Sequence, residues 1–433
     1  MTRHPKRWLA GTAMAIAATV ALAGCVSTGG TAAAGATGKD APGPIVFQSR
    51  FPAAEMSGLK AMVKGFESQN SGKVTVNSMP TTTFDKQLPT YLTAQNPPDV
   101  YTWYAGQATR DFADQGLLLD LSDVWKKSLG SFPAALKTLS TTDAGKQVFI
   151  PTDYYWWGVY YKKSVFTKLG ITPPTSWDEF LADAAKIKAQ GVNPITAGLS
   201  DNAWLATAWF DYLDLRINGA DFHLKLLSGK ASFDSPEVRK VFAALKQVLP
   251  YFDPSVLGTS YNQSVADFSN GKSAMYLTGA FMETAVPKGD RSDLGFFQFP
   301  IIDSSVPTAE EAPTDGFFAS SKTSRPNLTK DFLAYAASPE AQTLLVNGAG
   351  GADGTMLAAN PDAKQKLDGL AAQGKAMLEK ASQVTQFFNR DAGDAYEAPA
   401  DTAVTQFISQ KGQGLDQILA TWQASAAKIR AGK

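Results

Sequence analysis

The stretch PTDYYWWGVYYKKSVFTKLGITPPTSWDEF, residues 151–180, joins three structural signals in one run. Tyr154, Tyr155, Trp156 and Trp157 stand beside Asp153, and Val159, Tyr160 and Tyr161 continue them with residues that favour strands. Gly170, Pro173 and Pro174 break this pattern before Ser176, which with Glu179 three residues on makes the S-x-x-E pattern of a helix capping box. A strand laden with aromatics therefore feeds a helix. Side chains alternate along a strand, so Tyr154 and Trp156 face one way and Tyr155 and Trp157 the other. One pair is available to a solute, and the pattern leaves open which.

Upstream, strand and helix alternate. Residues 45–48 and 74–76 are short apolar strands, Leu59, Met62, Val63 and Phe66 recur at helical spacing, and Phe84, Leu88, Tyr91 and Leu92 mark a second helix before a strand at 99–101. Such alternation predicts a parallel α/β lobe with its ligand edge at the strand C-termini, where Trp103, Tyr104 and Gln107 fall. Downstream, Trp177, Phe180, Leu181, Ala184 and Ile187 line a helix, and a strand at 195–199 leads into Asp201 and Trp204. Asp234, Ser235, Pro236 and Glu237 cap another helix. Strands are expected around 274–277, 296–302 and 317–319, with helices at 328–337, 361–382 and 418–429.

The 433 residues exceed what one core usually holds, so two lobes are expected. With 44% apolar and 18% charged residues the chain is neither disordered nor a multispan membrane protein. Its 40 basic and 40 acidic residues give no electrostatic footprint for nucleic acid. Arg3, Lys6 and Arg7 precede an apolar, small-residue run that ends in Leu22-Ala23-Gly24-Cys25, the pattern of a lipoprotein leader. Cys25 is the only cysteine, which suits covalent lipid anchoring. The expected division is a signal peptide at 1–24, a flexible tether at 25–44, and an N-terminal lobe at 45–150. A C-terminal lobe follows at 151–312, then a return to the first lobe at 313–347 and the rest of the second at 348–433. Connections fall near Ile150, Pro313 and Gly348.

Catalytic chemistry is thinly supplied. His223 is the only histidine beyond the leader, no Cys or His cluster has metal-ligand spacing, and no GxxxxGK[ST] loop occurs. Asp153, Asp201, Asp211, Asp214 and Asp315 would be the carboxylates available to a glycosidase. Binding chemistry is richer. A pyranose offers apolar faces and rings of hydroxyls, so its receptor needs flat aromatics beside carboxylate, amide or guanidinium groups. Tyr104, Tyr155, Trp157, Trp204, Phe281 and Phe388 supply the first kind; Glu55, Gln107, Asp201, Asp315 and Arg390 supply the second.

The run YYWWGVYYKKSVF-x-KLGI-x-PPTSWDEF, together with NPPDVYTWYAG, DFADQGLLLDLSD and FSNGKSAMYLTGAFM, resembles the family 1 extracellular solute-binding proteins of sugar ABC importers, which are maltose-binding-protein-like. The resemblance implies an α/β fold, the two-lobed periplasmic-binding-protein fold of type II, with lobes joined by multiple hinge crossings. It implies a lipid-anchored, exported monomer that captures a disaccharide or oligosaccharide and delivers it to ABC transporter permease subunits in the membrane. No cofactor, metal or catalysis is implied. By motif position, Glu55, Tyr104, Gln107, Tyr155, Asp201, Phe281 and Phe388 would contact sugar; Trp204 lies one or two residues out of register. Phe281 stands where many relatives carry a stacking tryptophan. Two alternatives are a ferric-ion binding protein of the same fold, suggested by paired tyrosines, and a surface-anchored glycoside hydrolase.

Overall fold

The structure is a computed structural model that describes residues 39–50, 56–348, 355–367 and 369–432. The leader, Cys25, most of the tether and Glu55 lie outside the described residues. Among the described residues no helix is long and apolar enough to cross a membrane.

Four strands come first: β1 (Ile45–Ser49), β2 (Val74–Ser78), β3 (Val100–Tyr104) and β4 (Ile150–Tyr154). β5 (Trp157–Lys162), β6 (Asn193–Ile195), β7 (Ser273–Gly279) and β8 (Leu294–Phe297) follow, then β9 (Ala309–Glu311), β10 (Thr314–Ala319), β11 (Leu357–Ala358) and β12 (Gln383–Thr385). One sheet has the order β11-β4-β10-β3-β1-β2, a second the order β6-β7-β5-β8, and β9 pairs with β12. Each larger sheet organises one lobe.

In the first lobe β1 pairs in parallel with both β2 and β3, as strand–helix alternation requires. The helix Met56–Gln69 buries Leu59, Met62, Val63 and Phe66, one face of a 3.6-residue period. The sheet is nevertheless mixed. β10 enters antiparallel between β3 and β4, because the chain that returns from the second lobe runs opposite to the strands that left the first.

The pairing also moves the lobe boundaries. Thr314 and Asp315 pair with Tyr154 and Asp153, which keeps β4 in the first sheet through Tyr154, so the first crossing lies at residues 155–156 and not at 151. The second crossing is at residues 312–313. Leu357 and Ala358 pair with Tyr154 and Asp153 in turn, so the chain is still in the first sheet well past Gly348 and crosses for the third time after β11.

The second lobe is built around the helix Trp204–Ile217, in which every residue from Leu205 to Arg216 is buried. Trp209 and Phe210 lie in that core, as their mid-helix positions suggest. Ser176 and Glu179 form the expected reciprocal capping box at the helix Trp177–Ala189. The Thr175 and Ser176 amides bond the Glu179 carboxylate and hold its pKa down, to about 2. Ser235 caps the helix Pro236–Val248 in the same way, its hydroxyl accepting from the Val238 amide.

Trp156 is fully buried and packs on Phe296. A Cβ added at Gly374 would come within 2.2 Å of its indole. Gly374→Ala sets a helix-propensity gain of about 1 kcal/mol against an overpacking cost of about 1–3 kcal/mol. We expect the clash to win because the indole is enclosed on all sides. A thermal melt should show a lower Tm for the variant, and an unchanged or higher Tm would mean that Trp156 can move aside.

Candidate solute-binding site

A cavity of about 470 Å3 lies where the three crossings meet. From the first lobe it takes Arg50 just past β1, Asp85 from the helix Thr81–Thr93, Tyr104 at the end of β3, Asp153 of β4 and Asp315 of β10. From the second it takes Trp157 of β5, Asp201, Trp204, Tyr261 and Phe281. The last passage adds Phe387, Asn389, Arg390 and Glu397, while Tyr155 sits on the first crossing itself.

The first-lobe wall is ionic. The Asp315 carboxylate accepts from two guanidinium groups, Arg50 at 2.9 Å and Arg390 at 2.8 Å, and all three residues are buried. Arg390 also donates to the Tyr155 hydroxyl at 2.9 Å and Arg50 to the Tyr104 hydroxyl at 3.1 Å. Both guanidinium carbons lie over the Tyr104 ring, 3.9 and 4.0 Å from its centroid. Burial alone would lower the Arg50 pKa, but Tyr104, Asp315 and Asp85 outweigh it and raise the value, so the cation persists. Burial pushes the Tyr104 and Tyr155 phenols well above their usual range.

The second-lobe wall is aromatic. Trp204 and Phe281, both half-buried, meet at 61° with centroids 6.0 Å apart. Trp157 stands behind them, at 76° to each, and stacks on Phe387 at 5.2 Å. Tyr155 meets Phe281 edge to face at 5.8 Å. Trp204 is oriented by its own Nε1, which donates to Asn202 Oδ1 at 3.0 Å.

The last passage is clasped to the second crossing. Gln386 Oε1 accepts from the Thr314 amide at 2.7 Å, and its Nε2 donates to the Ala312 carbonyl at 3.0 Å, spanning Pro313. The Phe388 amide donates to Asp211 Oδ2 at 3.0 Å, and Asn389 Nδ2 to Glu397 Oε2 at 2.9 Å. These bonds hold Phe387, Asn389 and Arg390 at the cavity.

Of the residues expected from sequence, Tyr104, Tyr155, Trp157, Asp201, Trp204, Phe281, Asp315 and Arg390 line the cavity. The pair that faces it is Tyr155 and Trp157, while Trp156 is enclosed in the core. Phe388 is not at the cavity. It is fully buried against Phe210, Phe233 and Trp422, and its neighbour Phe387 lines the space instead. Phe387 is the extended N-cap of the short helix Phe388–Ala392, so the two rings leave the backbone in different directions. Gln107 is not a lining residue either; in the helix Gln107–Asp114 it bonds Asp111 and Arg110 of its own turn. Glu55 lies outside the described residues. Sequence reasoning missed Arg50, Asp85, Tyr261, Phe387, Asn389 and Glu397 among the lining residues. Arg50 was the recoverable one, since it follows a parallel strand at the same edge that pointed to Tyr104.

Several buried acids here have pKa values raised above the usual carboxylate range. Burial and the facing Asp315 raise Asp153, burial raises Asp85 to about 6 against the pull of Arg50 and Arg390, and burial raises Asp391 to about 6. Burial, with Glu397 and Asp85 nearby, raises Asp394 to about 8. Asp153 Oδ1 has no hydrogen-bond partner among the described residues.

Residues 52–343 match the family model for bacterial extracellular solute-binding proteins, and the chain belongs to that family. A probable sugar-binding periplasmic protein of Mesorhizobium japonicum is 30% identical over 46% of this chain and 49% of its own length. The chain spans between about half and three fifths of the curated relatives it matches first, 58%, 49% and 60% of their lengths. Among solved structures, the bacterial solute receptor AcbH, reported to prefer β-D-galactopyranose exclusively, superposes with TM-score 0.83 at 29% identity over 90% of this chain and 98% of its own. A chitin oligosaccharide binding protein shares the fold at TM-score 0.75 and 22% identity, over 90% of this chain and all of its own. The two-lobed fold of an exported solute-binding protein is thus established, in a family of binding proteins rather than enzymes.

The acids impose a pH dependence whose sign is fixed. Their folded pKa values lie above the unfolded ones near 4, so between about pH 4 and 8 the folded state holds protons that the unfolded chain has released, and stability falls as pH rises. Thermal melts should give a higher Tm at pH 5 than at pH 8, and Asp153→Asn should flatten the difference. A Tm that climbs from pH 5 to 8 would contradict this assignment of the buried acids.

Proposed function

We propose that this chain is the solute receptor of an ABC importer, that it captures a carbohydrate in the cavity between its lobes, and that it hands the sugar to permease subunits in the membrane. The observation that carries the proposal is the opposition, within one cavity, of an aromatic wall and an ionic, hydrogen-bonding wall. Sugar C–H faces are apolar and meet the rings; hydroxyls both donate and accept, and so meet carboxylate, guanidinium and amide groups. Trp204, Phe281 and Tyr155 would form the apolar contact with Trp157 behind them. Asp315, Arg390, Asp201, Arg50 and Asn389 would address the hydroxyls. The relatives whose names refer to sugars support the same reading.

In this proposal the lobes are open when empty and close by bending at the three crossings, a hinge motion of the periplasmic-binding kind. The receptor works as an exported monomer held at the membrane by a lipid on Cys25. It breaks no bond, and the sugar leaves chemically intact.

The test is a titration of intrinsic tryptophan fluorescence with sugars and ferric citrate, with the sugar recovered afterwards. A saturable response to a sugar recovered unchanged is expected. Trp204→Ala should lower that sugar's affinity by about 2 kcal/mol, roughly 30-fold, the value of one large apolar contact. A response to iron alone, or conversion of the sugar to products, would replace this reading by metal capture or glycoside hydrolysis.

A further inference from the structure

The number of aromatics in the sequence suggests several stacked sugar rings, but their arrangement does not. Trp204 and Phe281 meet at 61°, and Phe281 meets Tyr155 at 86°, so the three rings make a corner and not a row. Trp157 is 1% exposed and is stacked on Phe387, which leaves it as the back of that corner with no free face of its own. The aromatic on the opposite wall is Tyr104. Its ring lies under two guanidinium groups at 3.9 and 4.0 Å and against Trp103 at 4.7 Å, so it offers no second platform.

Most of the remaining lining is polar, with Asp85, Asp153, Asn202, Asn389 and Glu397 beside three threonines; of the other apolar side chains, Tyr261 packs on Phe281 at 6.5 Å as part of the same aromatic wall, and Ala285 and Met356 offer no flat ring. Five lining polar atoms are buried with no partner among the described residues, namely Arg50 Nε, Asp85 Oδ1, Asp153 Oδ1, Trp157 Nε1 and the Tyr261 hydroxyl. Buried polar groups of this kind require partners. A single hexopyranose, with its hydroxyls and ring oxygen, carries enough donors and acceptors to serve all five.

On the reading that the solute is a carbohydrate, we infer that the site recognises one pyranose ring: its ligand is a monosaccharide, and a second glycosidic ring adds no affinity. The ring sits in the corner of Trp204 and Phe281 with its hydroxyl edge toward Asp315, Arg390 and the unpartnered acids. Attachment of a further sugar places that sugar against the ionic wall, where it must compete with ion pairs already made.

Calorimetric titration of the full mature chain with galactose, glucose and xylose, beside lactose, cellobiose, diacetylchitobiose and raffinose, decides the matter. The expected result is saturable binding of a monosaccharide, with every larger sugar that contains it bound no more than about threefold tighter. Trp204→Ala should then weaken that monosaccharide by about 30-fold, because no other platform can replace the lost ring. A disaccharide or trisaccharide bound at least about tenfold tighter than each of its component sugars would overturn the single-ring inference and leave the carbohydrate reading standing. Silence toward every sugar would overturn both.

Discussion

One carboxylate binds two guanidinium groups that come from opposite ends of the sequence. Asp315 is the second residue of β10, Arg50 follows β1, and Arg390 lies on the final passage through the second lobe. Taking three charges out of water is costly unless each is paired and its remaining hydrogen bonds are met. Here Tyr104, Tyr155 and the Thr314 carbonyl supply further partners, while Arg50 Nε is left without one among the described residues. The cluster can form only where β1, β3 and β10 lie side by side and the last passage crosses their ends. The antiparallel insertion of β10 is therefore a condition of the site as well as a detail of topology. The buried charges cost stability, and what they provide is a fixed polar wall whose geometry does not depend on a solute.

The aromatic wall is fixed by a different means. Trp204 opens a helix that is buried on every side, so its position is set by the core of the second lobe. Phe281 follows β7, and Trp157 opens β5, the strand with which β7 pairs; Trp157 and Gly279 are register partners. A Cβ at Gly279 would lie within 2.4 Å of the Phe281 ring, so the absence of a side chain there lets that ring fold back toward the cavity. The aromatic wall thus belongs to the second lobe, while the ionic wall joins Arg50 and Asp315 of the first lobe to Arg390 of the last passage. Closure of one lobe on the other would bring the aromatic wall toward Arg50 and Asp315, with Arg390 acting at the junction where its ion pair links the lobes.

Local signals in the sequence were sufficient for the main elements and for eight of the cavity's lining residues. Periodicity located the helix Met56–Gln69 and the capping box marked the start of Trp177–Ala189; Tyr155 and Trp157 face the cavity together, although the strand that the alternation assumed is broken at residues 155–156. What stayed hidden depends on contacts far apart in the chain or on one backbone angle. The pairing of β10 between β3 and β4 is set by a return from the other lobe, which no local pattern encodes, and that pairing shifts the crossings to residues 155–156 and past β11. Phe387 and Phe388 are equivalent by composition. The extended conformation of Phe387 alone decides that it reaches the cavity while Phe388 enters the core. Trp204 appeared out of register with the family motif, yet it is the ring that fills the corner of the cavity.

The measurement that bears most directly on the account is a crystal structure of the mature protein grown with the tightest-binding sugar. One sugar is expected between the lobes, its apolar face against Trp204 and Phe281 and its hydroxyls within hydrogen-bond distance of Asp315 and Arg390. A sugar bound elsewhere on the surface, or a cavity occupied by a metal ion held through tyrosine and carboxylate oxygens, would contradict it.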